Sequence, residues 1–445
     1  MIKVAKFGGS SLADEHQFEK VKNIVNSEDE RKFIVVSACG KANDDEHKVT
    51  DLFYLCVAHL HYGVSCESLF RQIEDKYNRI ARALDLKLDL NTEFIQIRSH
   101  FSKNIDTDYL VSRGEYLTAK LLAEYIGADF VDAKNFICFI HNDEVDIEKS
   151  KDKFEEYLYG DKKIVIPGFY GQLPNGNIKV MSRGGSDITG AIIANITDAD
   201  IYENWTDVSG IYVADPKIIA NSLPCKRLTY RELRGMSYMG ANVLHDDAIF
   251  PVRDKNIPIN IRNTNKPDDK GTMIMADTEA LDEKDPPRII TGITGKEGYT
   301  VITVVKNHSS TLVGFLRELL SVFEEYRVSI ESVPITVDTF SIIVQSKAVE
   351  NCLYEIIEKI RNEFVPDEIR VDEDVALIAV VGRRMKSMPG ISGSLLSEFG
   401  RNSINIKVIN QSADELSIVV GVENRDFDKA IRCIYDRFIR EEKGL

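Results

Sequence analysis

The stretch Phe33-Ile34-Val35-Val36-Ser37-Ala38-Cys39-Gly40 decides the fold class of this 445-residue chain. Four consecutive apolar residues leave no polar face. That is the pattern of a parallel strand covered on both sides, and it stops at once in small residues and a glycine. Ile2-Lys3-Val4-Ala5-Lys6-Phe7 reads as a second strand that halts at Gly8-Gly9, and Ile164-Val165-Ile166 as a third that halts at Pro167-Gly168. Helical periods lie between them. Leu117, Leu121, Leu122 and Tyr125 share one face of a helix that Gly127 is placed to cap. Strand, glycine loop and helix alternate in this way to about Met275, so an α/β sandwich is predicted, with ligand loops at the carboxyl ends of its strands.

Outward from that core the pattern changes. Ala276 to Arg288 is charged, carries Pro286-Pro287 and reads as a solvated linker. Beyond it the chain repeats itself at an offset of 76 residues, which lays Gly314 on Gly390, Phe315 on Ile391, Leu319 on Leu395, Phe323 on Phe399 and Ile330 on Ile406. Each copy reads strand, helix, strand, strand, helix, the ferredoxin-like split βαβ arrangement. Two small α+β domains are therefore expected after one large α/β domain.

Composition narrows the partners. With 71 acidic against 56 basic residues, the formal net charge of −15 repels phosphate backbones and anionic lipid, so neither nucleic acid nor a membrane is expected as the main partner. The seven cysteines are odd in number and contain no CxxC pair, which fits neither a disulfide framework nor a zinc knuckle and points to a reducing compartment. No apolar run has signal-peptide or membrane-spanning length, so the expected location is cytoplasmic.

Several short segments could carry chemistry. Lys6-Phe7-Gly8-Gly9-Ser10-Ser11 places a lysine just before a glycine turn, either a cradle for a polyanion or a tight turn with a solvated lysine; its spacing is neither P-loop nor Rossmann. Ser182-Arg183-Gly184-Gly185-Ser186-Asp187 leads into a helix. The helix start offers N–H groups to an anion, Arg183 offers a planar fork, and the crowding of these residues favours function over a plain N-cap. Val111-Ser112-Arg113-Gly114-Glu115 is read as preceding a helix, where Glu115 could meet an ammonium group or serve as a dipole-favourable charge. Thr206-Asp207-Val208-Ser209-Gly210-Ile211-Tyr212, followed by Asp215-Pro216-Lys217, is either turn chemistry or a nucleotide loop. No HExxH, GxSxG or catalytic-cysteine context occurs, His245 reads as a turn residue, and no protein-held metal is expected.

Taken in order, KFGGSS, VSRGE, SRGGSD, WTDVSGIY (Trp205–Tyr212) and GANVLH (Gly240–His245) resemble the aspartate kinases of the amino acid kinase superfamily over essentially the whole chain. Met388-Pro389-Gly390-Ile391 and Asn410-Gln411 are similar to the paired ACT regulatory domains of that family. The resemblance implies an amino acid kinase α/β/α sandwich in residues 1–280, a linker with a strand that joins the second ACT domain in 281–298 (Arg288–Ile293 being the candidate), and ACT domains in 299–372 and 373–445.

It also implies transfer of the ATP γ-phosphoryl group to the β-carboxylate of L-aspartate, giving 4-phospho-L-aspartate at the entry to lysine, threonine and methionine synthesis. Lys6 and Asp187 would be catalytic, with Gly8 and Gly9 at the phosphates. Ser37, Thr50, Glu115 and Arg183 would bind aspartate, Arg183 at its α-carboxylate and Glu115 at its α-ammonium. Thr206, Asp207, Tyr212, Asp215 and Lys217 would contact ATP, and Mg²⁺ would ride mainly on the ATP phosphates. Phe315, Leu316, Ser329 and Glu331 would meet an inhibitory lysine and/or threonine in a homodimer or a dimer of dimers. The chain departs from the family pattern at Asn242, usually a lysine, at Lys217, more often arginine, and in the longer loop Lys41–Lys48. A homoserine dehydrogenase half is not expected from the length. The rival expectations are a kinase for glutamate, acetylglutamate or UMP, and a non-catalytic amino-acid-binding regulator with a decayed nucleotide site.

Overall fold

The computed structural model describes residues 1–140, 144–181, 184–240, 244, 246–276, 288–308, 313–411 and 415–440. The chain divides into two compact units. One holds Met1–Ile211, Pro224–Arg234 and Asn242–Leu281; the other holds Tyr212–Leu223, Gly235–Ala241 and Asp282–Leu445.

The first unit is built on an eight-stranded sheet. In chain order its strands are β1 (Lys3–Phe7), β2 (Arg31–Val36), β3 (Asp129–Phe130) and β4 (Ile164–Pro167), and after a separate hairpin of β5 (Tyr170–Gln172) and β6 (Ile178–Val180), β7 (Ile201–Thr206), β8 (Arg227–Thr229), β9 (Ile259–Asn263) and β10 (Thr272–Met275). Across the sheet the order is β3-β4-β2-β1-β7-β9-β10-β8. The strands from β3 to β9 are parallel, and β10 turns antiparallel to β9. The apolar run Phe33–Val36 lies in β2, where all four side chains are buried, because helices cover both faces.

Those helices are α1 (Glu15–Asn26), α2 (Val49–His61), α3 (Glu67–Ala83), α4 (Leu90–Ser99), α5 (Thr107–Ile126), α6 (Ile147–Leu158) and α7 (Gly185–Ile196). On one face Ala5, Phe7, Ile34, Val36, Val165 and Trp205 join a core with side chains of α1 to α5, among them Phe18, Phe53, Phe70, Leu117 and Leu121. Each buried Val, Leu, Ile or Phe among them contributes about 1.5–3 kcal/mol by leaving water. On the other face Phe33 meets Phe154 of α6, ring centroids 5.5 Å apart, and α7 packs across β1, β2 and β7. The predicted C-cap holds: Gly127 ends α5 with φ of 71°.

Strand alternation sorts β7 into two jobs. Glu203 and Trp205 face the α1–α5 side. There Arg31 Nε donates to Glu203 Oε2 at 2.6 Å and Trp205 Nε1 donates to the same oxygen at 3.0 Å. Phe7 stacks on Trp205 at 6.0 Å from the neighbouring strand. Tyr202 and Asn204 face α7, as does Lys6 of β1.

The second unit has a six-stranded antiparallel sheet of β11 (Gly292–Val305), β12 (Ile330–Ser332), β13 (Thr339–Gln345), β14 (Glu368–Val381), β15 (Val408–Gln411) and β16 (Ser417–Glu423), in the order β12-β13-β11-β14-β16-β15. The repeat is visible in it. Helices Phe315–Glu325 and Ile391–Arg401 stand at the sequence offset, and their N-caps Gly314 and Gly390 have φ of 90° and 93°. That left-handed backbone is what glycine supplies. The two long strands serve both copies. Tyr299–Val305 of β11 pairs with β13, whereas Gly292–Lys296 pairs with Leu377–Val381, the same part of β14 that pairs with β16. The paired strand thus begins at Gly292, later than Arg288, and runs on past Ile293.

Two segments from the middle of the sequence belong to this unit as well. Ile293 N donates to Val213 O at 2.6 Å, Leu223 N to Tyr435 Oη at 2.9 Å, and Thr294 Oγ1 to Met239 O at 3.0 Å. No sequence period announced these long-range attachments. The expected linker falls mostly on 277–287, outside the described residues.

Candidate active site

β1 carries Lys6 to the carboxyl end of the sheet, and the chain then turns sharply. Gly8 N donates to Trp205 O at 3.0 Å and Ser11 N to Gly8 O at 3.0 Å, closing a short 3₁₀ turn over Gly9–Leu12. The turn after β2 packs directly on it. Gly40 N donates to Gly9 O at 2.9 Å, and a Cβ on Gly40 would stand 2.5 Å from that carbonyl. Only backbone fits there, so the Gly8-Gly9 turn and the Ser37–Gly40 turn are held as one surface.

Lys6 is buried, 7% exposed, yet ion-paired: its Nζ lies 2.5 Å from Asp187 Oδ1. Asp187 stands in the first turn of α7, and its N–H donates to Gly184 O at 2.8 Å. The structure therefore brings together two residues 181 positions apart that the sequence marked separately. Asn204, which no sequence motif marks, joins them. Its Nδ2 donates to the same Asp187 Oδ1 at 2.8 Å.

Glu115 is the second unusual group. Val111–Glu115 does not precede a helix; it lies inside α5, which starts at Thr107 behind the Asp106 N-cap. The expectation failed because the helix begins with polar residues that hide its apolar period. Glu115 is 4% exposed, and burial pushes its carboxyl up to about 8 against the opposing hydrogen bond from the Ala38 amide. Its Oε2 has no hydrogen-bond partner among the described residues. A buried carboxyl oxygen left this way is stabilised by a cation or donor arriving from outside the fold.

The remaining expected residues are distributed as follows. Ser37 N donates to Phe7 O at 3.1 Å, which sets it beside the Lys6 strand. Thr50 is the second residue of α2, after the loop Lys41–Lys48. That loop is anchored by Lys76, whose Nζ reaches Gly40 O and Glu46 Oε2, both at 2.6 Å. Thr206 ends β7 rather than opening a loop, and its Oγ1 donates to Asp207 Oδ1 at 3.1 Å. Tyr212, Asp215 and Lys217 belong to the other unit, where Lys217 N donates to Asp215 Oδ1 at 2.8 Å. Arg183, Asn242 and His245 lie outside the described residues. Among the described residues no group of three or more His, Cys, Asp or Glu is placed to hold a metal, and no helix is long and apolar enough to cross a membrane.

Within the second unit Phe315 is a core residue, its ring 5.0 Å from Phe340 and 5.4 Å from Phe364. Leu316 packs at the edge of that core, and Ser329 is exposed. Glu331 is half-buried on β12 and accepts a hydrogen bond from Gln345 Nε2 at 2.9 Å.

Comparison with known proteins places the chain in a family. Residues 1–263 match the amino acid kinase family and residues 378–438 match an ACT domain. Aspartokinase 3 of Bacillus subtilis is 34% identical over 455 aligned positions, covering 98% of each chain. The crystal structure of Clostridium acetobutylicum aspartate kinase superposes with a TM-score of 0.89 at 43% identity, covering 98% of this chain and 99% of that one. E. coli aspartokinase III in complex with aspartate and ADP shares the fold at a TM-score of 0.78 and 22% identity, with 98% of this chain and 99% of that one covered. The chain belongs to the amino acid kinase family and, within it, to the aspartokinases.

Proposed function

We propose that the protein transfers the γ-phosphoryl group of MgATP to the β-carboxylate of L-aspartate, giving 4-phospho-L-aspartate and ADP. The observation that carries this reading is the Lys6–Asp187 pair at the end of β1, beside the Gly8-Gly9 turn. A carboxylate oxygen attacks the γ-phosphorus as the bond to the ADP oxygen breaks. The acceptor is already ionised near neutrality, so the reaction needs no general base, and positioning and charge neutralisation do the work. Lys6 supplies that charge on the transferring group, Asp187 keeps it aimed, and the glycine turn lets backbone N–H groups approach the phosphates. Glu115 takes the substrate α-ammonium with its unpartnered oxygen. Arg183 takes the α-carboxylate, and Ser37 and Thr50 line the pocket. Thr206 and Asp207 contact the nucleotide, whose magnesium arrives on its phosphates.

The first repeat, 299–372, is read as a second ACT domain from its shared topology with the matched one. The domain boundaries 1–280, 281–298, 299–372 and 373–445 follow, with the short segments 212–223 and 235–241 grouped with the later part. The C. acetobutylicum enzyme is described as allosteric. Here the repeats are proposed to sense lysine and/or threonine near Leu316, Ser329 and Glu331, with Phe315 shaping the floor, in a cytoplasmic homodimer or dimer of dimers. The product would serve synthesis of lysine, threonine and methionine. An acceptor panel tests the reading: ADP release should require L-aspartate and be absent with glutamate, acetylglutamate or UMP. Release with one of those instead would replace the substrate.

A further inference from the structure

Resting on the kinase reading above, we propose that Asn204 is a positioning residue for phosphoryl transfer, fixing the Asp187 carboxylate that aims Lys6. The register supports it first. Lys6 and Asn204 are direct partners across the parallel β1–β7 pair, so their side chains leave the same face of the sheet side by side. α7 lies on that face and places Asp187 against both. A single oxygen, Oδ1, takes the Lys6 ammonium at 2.5 Å and the Asn204 amide at 2.8 Å.

The main chain is pinned from the same strand. Tyr202 Oη donates to Asp187 O at 3.1 Å. Gly190 permits that approach, since a Cβ there would meet the Tyr202 hydroxyl at 2.6 Å. β7 therefore holds Asp187 by backbone and side chain at once, and β1 delivers the lysine to the result.

The residue type matters. Asn204 is 1% exposed in a central strand, where an apolar side chain would pack without needing a hydrogen bond. A neutral donor steadies the carboxylate without competing for its charge. A cation in its place would draw Asp187 away from Lys6, and an anion would repel it.

The test compares steady-state kinetics of the full-length wild type, Asn204→Leu and Asn204→Asp. Asn204→Leu should lower kcat by about 10- to 100-fold while both KM values stay within about threefold, the pattern of an interaction needed in the transition state. Asn204→Asp keeps the shape. Its added carboxyl beside Asp187 should hold a proton at acid pH and donate it to Oδ1, then lose it and repel Asp187 as pH rises. The variant-to-wild-type kcat ratio should therefore climb about tenfold from about pH 8.5 to about pH 6. A purely structural asparagine would lower thermal stability and leave that ratio flat. A flat ratio, or wild-type kcat in Asn204→Leu, overturns the proposal. If Asn204→Leu does not fold, the Asn204→Asp profile decides alone. Wild-type protein without aspartate-dependent turnover would instead overturn the kinase reading, and this proposal with it.

Discussion

Glu115→Gln should make the protein more stable, and increasingly so as pH rises. In the folded chain burial lifts the Glu115 carboxyl from 4.5 to about 8, so between those values the folded state holds a proton that the unfolded state has released. Stability changes with pH in proportion to protons bound by the unfolded minus the folded state, which is negative here, so this residue's contribution falls as pH rises and levels off above about 8. At about 1.4 kcal/mol for each pH unit crossed between the two values, the loss amounts to about 3 kcal/mol at pH 7 and up to about 5 kcal/mol above pH 8. Glutamine keeps the oxygen that accepts from the Ala38 amide and cannot ionise. Chemical denaturation of both proteins, without substrate, from about pH 5 to about pH 8.5 measures the difference. The two should agree at the acid end and diverge in favour of the variant at the alkaline end. Parallel curves would refute the reasoning, since they would mean that Glu115 ionises in the folded protein as easily as in water. The same variant should bind aspartate far more weakly, because the α-ammonium loses its partner.

Lys6→Met should reduce kcat by about 100-fold or more with KM for aspartate changed only a few-fold, as expected when a charge acts on the transferring phosphoryl; an unchanged kcat contradicts its role. Arg31→Met leaves Glu203 buried without its principal partner and should cost about 3–5 kcal/mol in a denaturation experiment, less the share that Trp205 Nε1 and the nearby Arg262 retain. A loss under about 1 kcal/mol would show that the pair is dispensable. Glu331→Ala should relieve inhibition by lysine or threonine while uninhibited turnover stays near wild type, and inhibition kept intact would move the effector site away from β12.

Much of this arrangement is legible in the amino-acid sequence itself. Phe33–Val36 announced a covered parallel strand, and Lys6 and Asp187 were each marked by a glycine-rich neighbourhood at a strand-to-helix junction. What escaped notice depends on pairing across the sheet. Asn204 acquires its meaning only from lying opposite Lys6, and a strand's sequence period says which face a residue takes without saying who stands beside it. A polar Asn and Glu adjacent in Ile201-Tyr202-Glu203-Asn204-Trp205 were the available signal, since a central strand seldom buries either without purpose. Glu115 was misplaced for a local reason, because the Asp106 cap and polar first turn of α5 obscured where the helix starts. The attachment of 212–223 and 235–241 to the later unit rests on long-range hydrogen bonds to Ile293, Thr294 and Tyr435, which no local pattern encodes.

The central claim is that the acceptor is a carboxylate and the product an acyl phosphate. Incubating the purified protein with MgATP and L-aspartate in hydroxylamine, and counting both ADP and aspartyl hydroxamate, tests it most directly. The account predicts equal amounts of the two, with neither formed when aspartate is omitted. ADP formed without hydroxamate would mean that the phosphoryl group goes elsewhere, and would contradict the assignment of Glu115, Lys6 and Asp187 to one aspartate-phosphorylating site.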